Sequence, residues 1–134
     1  MKYLDFDIEL KSVGPKKQRI RPKIFTNDLD SVMIRITITD MTDTDLLGSS
    51  AEMLLYMQDR SFFQNTDVTR EGNVFKYLLK ENEGNHSGIA RFQLPVTTAD
   101  GKIYAQQKLE FEIISGLETQ VATEVMIQDW TSLT

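Results

Sequence analysis

The sequence predicts an all-β protein, an antiparallel immunoglobulin-like β-sandwich, from two observations. Apolar and polar residues alternate with a period of two through most of the chain, which is typical of strands with one buried face. The glycines fall between these alternating runs, where turns require positive φ angles or tight bends. Several short strands separated by such turns are typical of a sandwich or a barrel.

Five runs carry the strand pattern most clearly. The first has Leu4, Phe6, Ile8 and Leu10 on one face, and the second is the β-branched run Val32, Ile34, Ile36 and Ile38. The other three lie within residues 90–94, 109–113 and 121–127. Asp100-Gly101 and Ser115-Gly116 are predicted hairpin turns, and Pro95 ends the strand that precedes it.

Residues 49–58 fit two kinds of secondary structure. Ser49 and Glu52 match a helical capping box, and Ala51, Leu54 and Leu55 have partly helical spacing. Met53, Leu55 and Met57 also alternate with their neighbours, and the segments on both sides are predicted strands. We therefore favour a strand here.

Length and composition narrow the class of protein. The 134 residues suit one domain, predicted over residues 1–128, with 129–134 as a tail or the start of a linker to an absent region. The chain has no cysteine and one histidine, so disulfides and most metalloenzyme sites are excluded. A net charge of −5 disfavours nucleic-acid and lipid partners, and the acidic N-terminus is unlike a signal peptide, so we expect synthesis in the cytosol.

The sequence gives only weak signals for catalytic or metal-binding groups. Asp40, Asp43 and Asp45 follow a predicted strand, but Asp45 is followed by Leu46 and Leu47, so the third ligand of a calcium loop is missing. His86 lies in a polar loop between glycines, with no nucleophile motif or phosphate-binding glycine loop in the chain. The sequence therefore predicts no enzyme activity, no metal site and no cofactor.

A basic segment is the most distinctive charge feature. Six cations and no acids lie between positions 11 and 23, which leaves nine basic and 20 acidic residues, a net charge of −11, elsewhere. Such asymmetry favours oriented docking on an acidic partner, and the predicted interface residues are Lys16, Lys17, Arg19, Arg21 and Lys23. Cations alternating with apolar residues and a proline also suit an edge strand protected against unwanted pairing, and the two interpretations are compatible.

The order and spacing of several motifs resemble the N-terminal domain of phage baseplate upper proteins, from tailed phages of Gram-positive bacteria. The resemblance covers about residues 4–128 and rests on the N-terminal strand, the run at 32–36 and three later motifs. These are Asp45-Leu46-Leu47-Gly48-Ser49-Ser50-Ala51, then Gly88-Ile89-Ala90-Arg91-Phe92-Gln93-Leu94-Pro95, and last Gly101-Lys102-Ile103-Tyr104 leading into Leu109-Glu110-Phe111-Glu112-Ile113.

The resemblance implies a structural adaptor at the tail tip of a virion assembled in the host cytoplasm. In that family the N-terminal β-sandwich docks on baseplate core proteins, and the chain beyond it presents the receptor-binding protein, within a homotrimer. This sequence ends shortly after the last predicted strand, so we expect it to lack that downstream half. The alternative is a carbohydrate-binding β-sandwich that stacks sugars on Tyr56, Phe62, Phe63, Tyr77 or Trp130.

Overall fold

The computed structural model describes residues 1–11, 21–25, 32–105 and 108–115. These residues form twelve strands and one short helix. In chain order the elements are β1 Lys2–Ile8, β2 Lys23–Phe25, β3 Val32–Ile38, β4 Ser50–Ala51, β5 Met53–Tyr56, β6 Phe62–Asn65, β7 Val68–Glu71, β8 Val74–Leu78, α1 Glu81–Gly84, β9 Gly88–Gln93, β10 Val96–Thr97, β11 Ile103–Tyr104 and β12 Leu109–Ile114.

The strands form two main sheets and one small sheet. The four-stranded sheet has the order β1-β3-β8-β7, the five-stranded sheet β2-β12-β9-β5-β6, and the small sheet β11-β10-β4. The two main sheets pack face to face, because Phe6 of β1 meets Phe92 of β9 edge-on with ring centroids 4.8 Å apart. Phe111 of β12 extends this contact, with its ring 5.9 Å from that of Phe92. The predicted all-β sandwich is confirmed.

The buried faces follow the period of two in the sequence. On β1 the side chains of Leu4, Phe6 and Ile8 are buried and those between them are exposed. On β3 the four alternate residues from Val32 to Ile38 are at most 1% exposed. The predicted core faces of both strands are therefore confirmed.

Strand direction differs from the predicted antiparallel pairing at two places. β1 pairs parallel to β3, with Phe6 beside Ile36, and β2 pairs parallel to β12, with Ile24 beside Ile113. The other strand pairs of the described ranges are antiparallel. The two strands of each parallel pair are far apart in sequence, as parallel pairing requires. The alternation of apolar and polar residues is the same in parallel and antiparallel sheets, so it does not predict the direction of a strand.

The ambiguous segment 49–58 forms strands, as predicted. Ser50–Ala51 and Met53–Tyr56 are β4 and β5, and Met53, Leu55 and Met57 are buried. The Asp100-Gly101 turn also joins two strands as predicted, because β10 and β11 pair antiparallel on either side of it. The predicted strand at 121–127, the Gly116 turn position and the tail at 129–134 lie outside the described residues.

The segment predicted as a polar loop around His86 begins with a helical turn. Residues Glu81–Gly84 form α1, preceded by Lys80 in an extended conformation. Lysine is not a typical helix-capping residue, so the sequence lacked the usual signal of a helix start. Within the described ranges no helix is long and apolar enough to span a membrane.

Candidate docking surfaces

The basic segment lies partly within the described residues. Lys16, Lys17 and Arg19 lie outside them, whereas Lys23 begins β2, Arg21 lies two residues before it, and both are exposed. In the described part of the chain β2 has β12 as its only sheet neighbour, so it is an edge strand, as predicted. The Pro22 carbonyl accepts a hydrogen bond from the Glu112 backbone N–H at 2.9 Å, and proline offers no N–H to a further strand.

Acidic residues of β12 lie beside these cations. Glu110 Oε2 is 3.7 Å from Arg21 Nη2 and 3.4 Å from Arg91 Nε, so the carboxylate lies between two guanidinium groups. Lys23 is the register partner of Glu112. The sequence showed a run of cations without acids, but strand pairing places beside them acids that are 89 positions away in the chain. The described part of the surface is consequently mixed in charge.

Lys2 adds a cation from the opposite sheet. Its Nζ donates a hydrogen bond to the Lys23 backbone carbonyl at 2.8 Å and lies 5.9 Å from the centre of the Phe25 ring. The first residue of β1 therefore reaches across the side of the sandwich to β2. The starts of these two strands, one from each main sheet, lie close together.

The acidic cluster considered for calcium is divided among separate structural contacts. Asp40 accepts hydrogen bonds from the backbone N–H groups of Leu10 and Lys11, at 2.9 and 2.7 Å. Asp43 forms an ion pair with Arg70 at 2.6 Å. Asp45 accepts the Thr42 backbone N–H at 2.9 Å, which lowers the pKa of Asp45. No group of three or more potential metal ligands occurs among the residues that the structure describes.

His86 has a carboxylate partner that the sequence did not indicate. Its Nδ1 lies 2.5 Å from Asp59 Oδ2, and its ring packs edge-on against Phe63 with centroids 5.2 Å apart. The hydrogen bond from His86, followed by one from the Ser61 backbone, lowers the pKa of Asp59 to about 2. This contact connects the turn between β5 and β6 to the loop before β9, so the histidine has a structural role here.

The aromatic residues considered for sugar stacking are dispersed. Tyr77 is buried in the core, Phe63 packs on His86, and Trp130 lies outside the described residues. Tyr56 and Phe62 are neighbours on the outer face of the five-stranded sheet, with tilted rings 5.1 Å apart. Lys108 Nζ lies 4.0 Å from the centre of the Tyr56 ring and so occupies a face that a sugar would need. Phe62, 51% exposed, is the most accessible of those rings that the structure describes.

The outer face of the four-stranded sheet carries a surface that the sequence did not single out. The Arg35 guanidinium on β3 donates hydrogen bonds to both carboxylate oxygens of Asp5 on β1, at 2.6 and 2.9 Å. It also lies 3.8 Å from the centre of the Tyr3 ring. On the same face, towards the β7 edge, Lys76 pairs with Glu71 at 2.6 Å. The bidentate bond holds Asp5 ionised, so its pKa is lowered.

The comparisons with known proteins concern the fold. No family model matches this chain, and no curated protein matches it in sequence. Among solved structures, the chain is similar to the N-terminal domain of phage TP901-1 ORF48, with a TM-score of 0.62 at 13% sequence identity. The match covers 86% of this chain and 100% of that one. This chain shares that phage domain's fold. The resemblance identified from the sequence therefore has a structural counterpart.

Proposed function

We propose that this protein is a structural component of a phage tail baseplate. In this role the domain docks on baseplate core proteins and supports the receptor-binding apparatus during host adsorption. The observation that carries the proposal is the fold shared with the N-terminal domain of phage TP901-1 ORF48, a baseplate protein, over the full length of that domain. Because a shared fold does not by itself imply a shared role, the proposal also draws on the sequence motifs that resemble baseplate upper proteins.

The placement of the family-like motifs gives further support. Leu46 of the Asp45-to-Ala51 motif is fully buried, and Gly48 has a φ of 75°, so this motif forms a tight turn anchored in the core. The motif that starts at Gly88 forms β9 at the centre of the five-stranded sheet. Both motifs therefore belong to the framework of the sandwich. Framework residues are those that proteins with the same fold and role are expected to share.

The remaining parts of the proposal follow from the family resemblance and from the chemistry of the described residues. The domain acts without catalysis and without a cofactor, in a homotrimer within the virion, and it contacts proteins and not nucleic acid or membrane. In support, ionisable side chains that were candidates for chemistry have structural partners: Asp40 binds backbone N–H groups, and His86 binds Asp59.

Carbohydrate binding is the second candidate, and one observation favours it. Phe62 lies on an open sheet face beside Tyr56, as a sugar-stacking residue would. Binding on a glycan array that is lost in Phe62→Ala and kept in Phe25→Ala, a matched exposed phenylalanine on the same sheet, would favour this function over the structural one.

Electron microscopy of the phage or induced prophage that carries the gene tests the baseplate role directly. An antibody against this domain is expected to decorate the tail tip of purified virions, and mass spectrometry of those virions is expected to detect the chain. Virions that contain no trace of the chain would overturn the proposal. An antibody that decorates only the capsid would do the same.

A further inference from the structure

We propose that the open edge of β1 is a binding site for an extended, basic strand of a partner protein. The strand would lie beside β1 and become the fifth strand of the four-stranded sheet, in the manner of β-augmentation. This inference goes beyond the proposed function, because it rests on backbone geometry, burial and charge and applies whatever assembly the domain belongs to.

The backbone of β1 has hydrogen-bonding groups that point away from the sheet. The Ile8 carbonyl accepts the Thr39 N–H at 2.9 Å, which shows that the backbone groups of Ile8 face β3. Because the direction of backbone groups alternates along a strand, those of Tyr3, Asp5 and Asp7 point to the opposite side. Within the described ranges no strand pairs with β1 there.

The length of β1 distinguishes it from the other edges of the two main sheets. β2 has three residues, and β6 and β7 have four each, whereas β1 has seven. Short edge strands and prolines are common protections against pairing with another chain, and β1 has neither. Lys2 reaches across to β2, so the stretch open to a partner begins at Tyr3.

The core is less well covered along β1 than along its neighbour β3. The inward side chains of the β1 segment, Leu4, Phe6, Ile8 and Leu10, retain exposures of 3, 7, 8 and 9%. The inward side chains of the neighbouring β3, Val32, Ile34, Ile36 and Ile38, retain 0, 0, 1 and 0%. A strand added beside β1 would cover this remaining apolar surface with its own inward side chains. The bound strand should therefore have apolar residues at alternate positions.

Charge determines what the other side chains of the bound strand should be. Asp5 and Asp7 lie on the solvent face of β1, where both side chains are exposed. A second copy of β1 at this edge would place like charges across from one another, which is destabilising. Lysine or arginine opposite these aspartates would instead form favourable cross-strand pairs. The occupant is consequently a basic strand from a different protein segment.

A synthetic peptide tests this site. The probe is a capped peptide of about nine residues, long enough to pair along one strand, in which lysine alternates with valine and threonine. A matched peptide replaces the lysines with glutamates. Binding is measured by fluorescence anisotropy, and amide hydrogen exchange by NMR reports its position. We expect the basic peptide to bind and to slow exchange at Tyr3, Asp5 and Asp7, while the acidic peptide does not bind.

Two substitutions at one position separate the charge and backbone contributions. Asp7→Lys should weaken binding of the basic peptide by about tenfold or more, because it places like charges across the new strand pair. Glu71→Lys is the matched control, since it makes the same charge change at the opposite edge of the same sheet, and it should leave the affinity within about threefold. Asp7→Pro removes one outward N–H and should abolish slowed exchange at the edge.

The folded state of each variant is checked by its circular dichroism spectrum and thermal midpoint. Asp7→Lys changes an exposed side chain, so it keeps the test valid if Asp7→Pro does not fold. The proposal is overturned if the wild-type protein does not bind the basic peptide, if Glu71→Lys weakens binding as much as Asp7→Lys, or if exchange slows away from β1. Concentration-dependent light scattering of the protein alone, abolished by Asp7→Pro, would show self-pairing and would also overturn it.

Discussion

At the scale of single residues, the most informative feature is a buried carboxylate. Glu83 is 1% exposed, and Tyr77 Oη donates a hydrogen bond to its two oxygens, at 2.6 and 2.7 Å. The Lys80 backbone N–H also donates to it, at 2.9 Å. Burial, and then the contact with Glu83, raise the pKa of Tyr77 above its ordinary value, so the phenol remains a hydrogen-bond donor. This pair fastens α1 to β8.

Tyr77→Phe should destabilise the fold by about 2–3 kcal/mol, because it leaves a buried carboxylate short of a donor. The free energy of unfolding, measured with urea, tests this prediction. Tyr3→Phe is the control, since Tyr3 is 48% exposed, and its effect should stay within about 0.5 kcal/mol. Equal effects of the two substitutions would show that the Tyr77 hydroxyl contributes nothing specific.

The contact between Asp59 and His86 predicts a pH dependence of stability with a definite sign. The pKa of Asp59 is lowered from 3.8 to about 2, mainly by His86. A carboxyl group whose pKa is lower in the folded state stabilises the fold above its unfolded pKa, and this contribution is lost as the pH falls from about 4 towards 2.

His86→Ala should therefore raise the pKa of Asp59 towards its ordinary value. An NMR titration of the carboxyl carbons in wild-type and variant proteins measures this directly. Asp45 is the internal control, because its lowered pKa depends on Thr42 and should not change. A pKa of Asp59 that stays at about 2 in the variant would mean that the Ser61 hydrogen bonds, and not His86, are responsible.

At the scale of elements, the alternation of apolar residues predicted the strands well and their pairing less well. Every second side chain of β1, β3 and β5 is buried as expected, because one face of each strand packs against the opposite sheet. The parallel pairing of β1 with β3 was not predictable, since each strand's pattern records which face is buried and not which strand lies beside it.

Short-range signals failed where long-range contacts decide the structure. The sequence around α1 looks like a polar loop, and its one turn is stabilised by the buried Tyr77–Glu83 pair, which only the folded chain creates. The candidate interface shows the same limitation: Arg21 and its neighbour Glu110 are far apart in sequence, so the charge of the surface could not be read from the basic segment alone.

The contribution of β1 to the core gives an element-scale prediction. Phe6 is 7% exposed and packs edge-on against Phe92, so Phe6→Ala should leave a cavity between the sheets and destabilise the protein by about 3–5 kcal/mol. The urea midpoint measures this loss. Phe62→Ala, at a site 51% exposed, should cost about 1 kcal/mol or less. An unchanged midpoint for Phe6→Ala would mean that β1 is not part of the cooperative unit.

At the scale of the whole molecule, both parallel pairs place an edge strand at the same side of the sandwich. Among the residues that the structure describes, β1 is an edge of one main sheet and β2 an edge of the other, and Lys2 connects them through the Lys23 carbonyl. The two edges differ in chemistry: β1 carries Asp5 and Asp7, whereas β2 is preceded by Arg21 and contains Lys23. In the described part of the chain, one side of the domain therefore carries the acidic edge of β1 together with the β2 edge, where the cations lie beside Glu110 and Glu112.

The basic segment is predicted to face an acidic partner, in addition to protecting the β2 edge. The double substitution of Arg19 and Arg21 by Glu should slow association with baseplates that lack the protein and weaken the dependence of the rate on salt. Folding stability should change by about 1 kcal/mol or less per site, because Arg21 is 42% exposed and its contact with Glu110 is a surface ion pair.

Edge protection alone predicts a different result for the same positions. Glutamate is also a charged residue that opposes strand pairing, so the Glu variant would associate normally, while a double Thr variant would self-associate. Association rates of both variants at two ionic strengths, with light scattering of each free protein, distinguish the two roles. A slower rate for the Glu variant supports docking, because charge reversal leaves the protected edge charged and changes its attraction for an acidic surface. Unchanged association rates for both variants would show that the basic segment is not part of the interface.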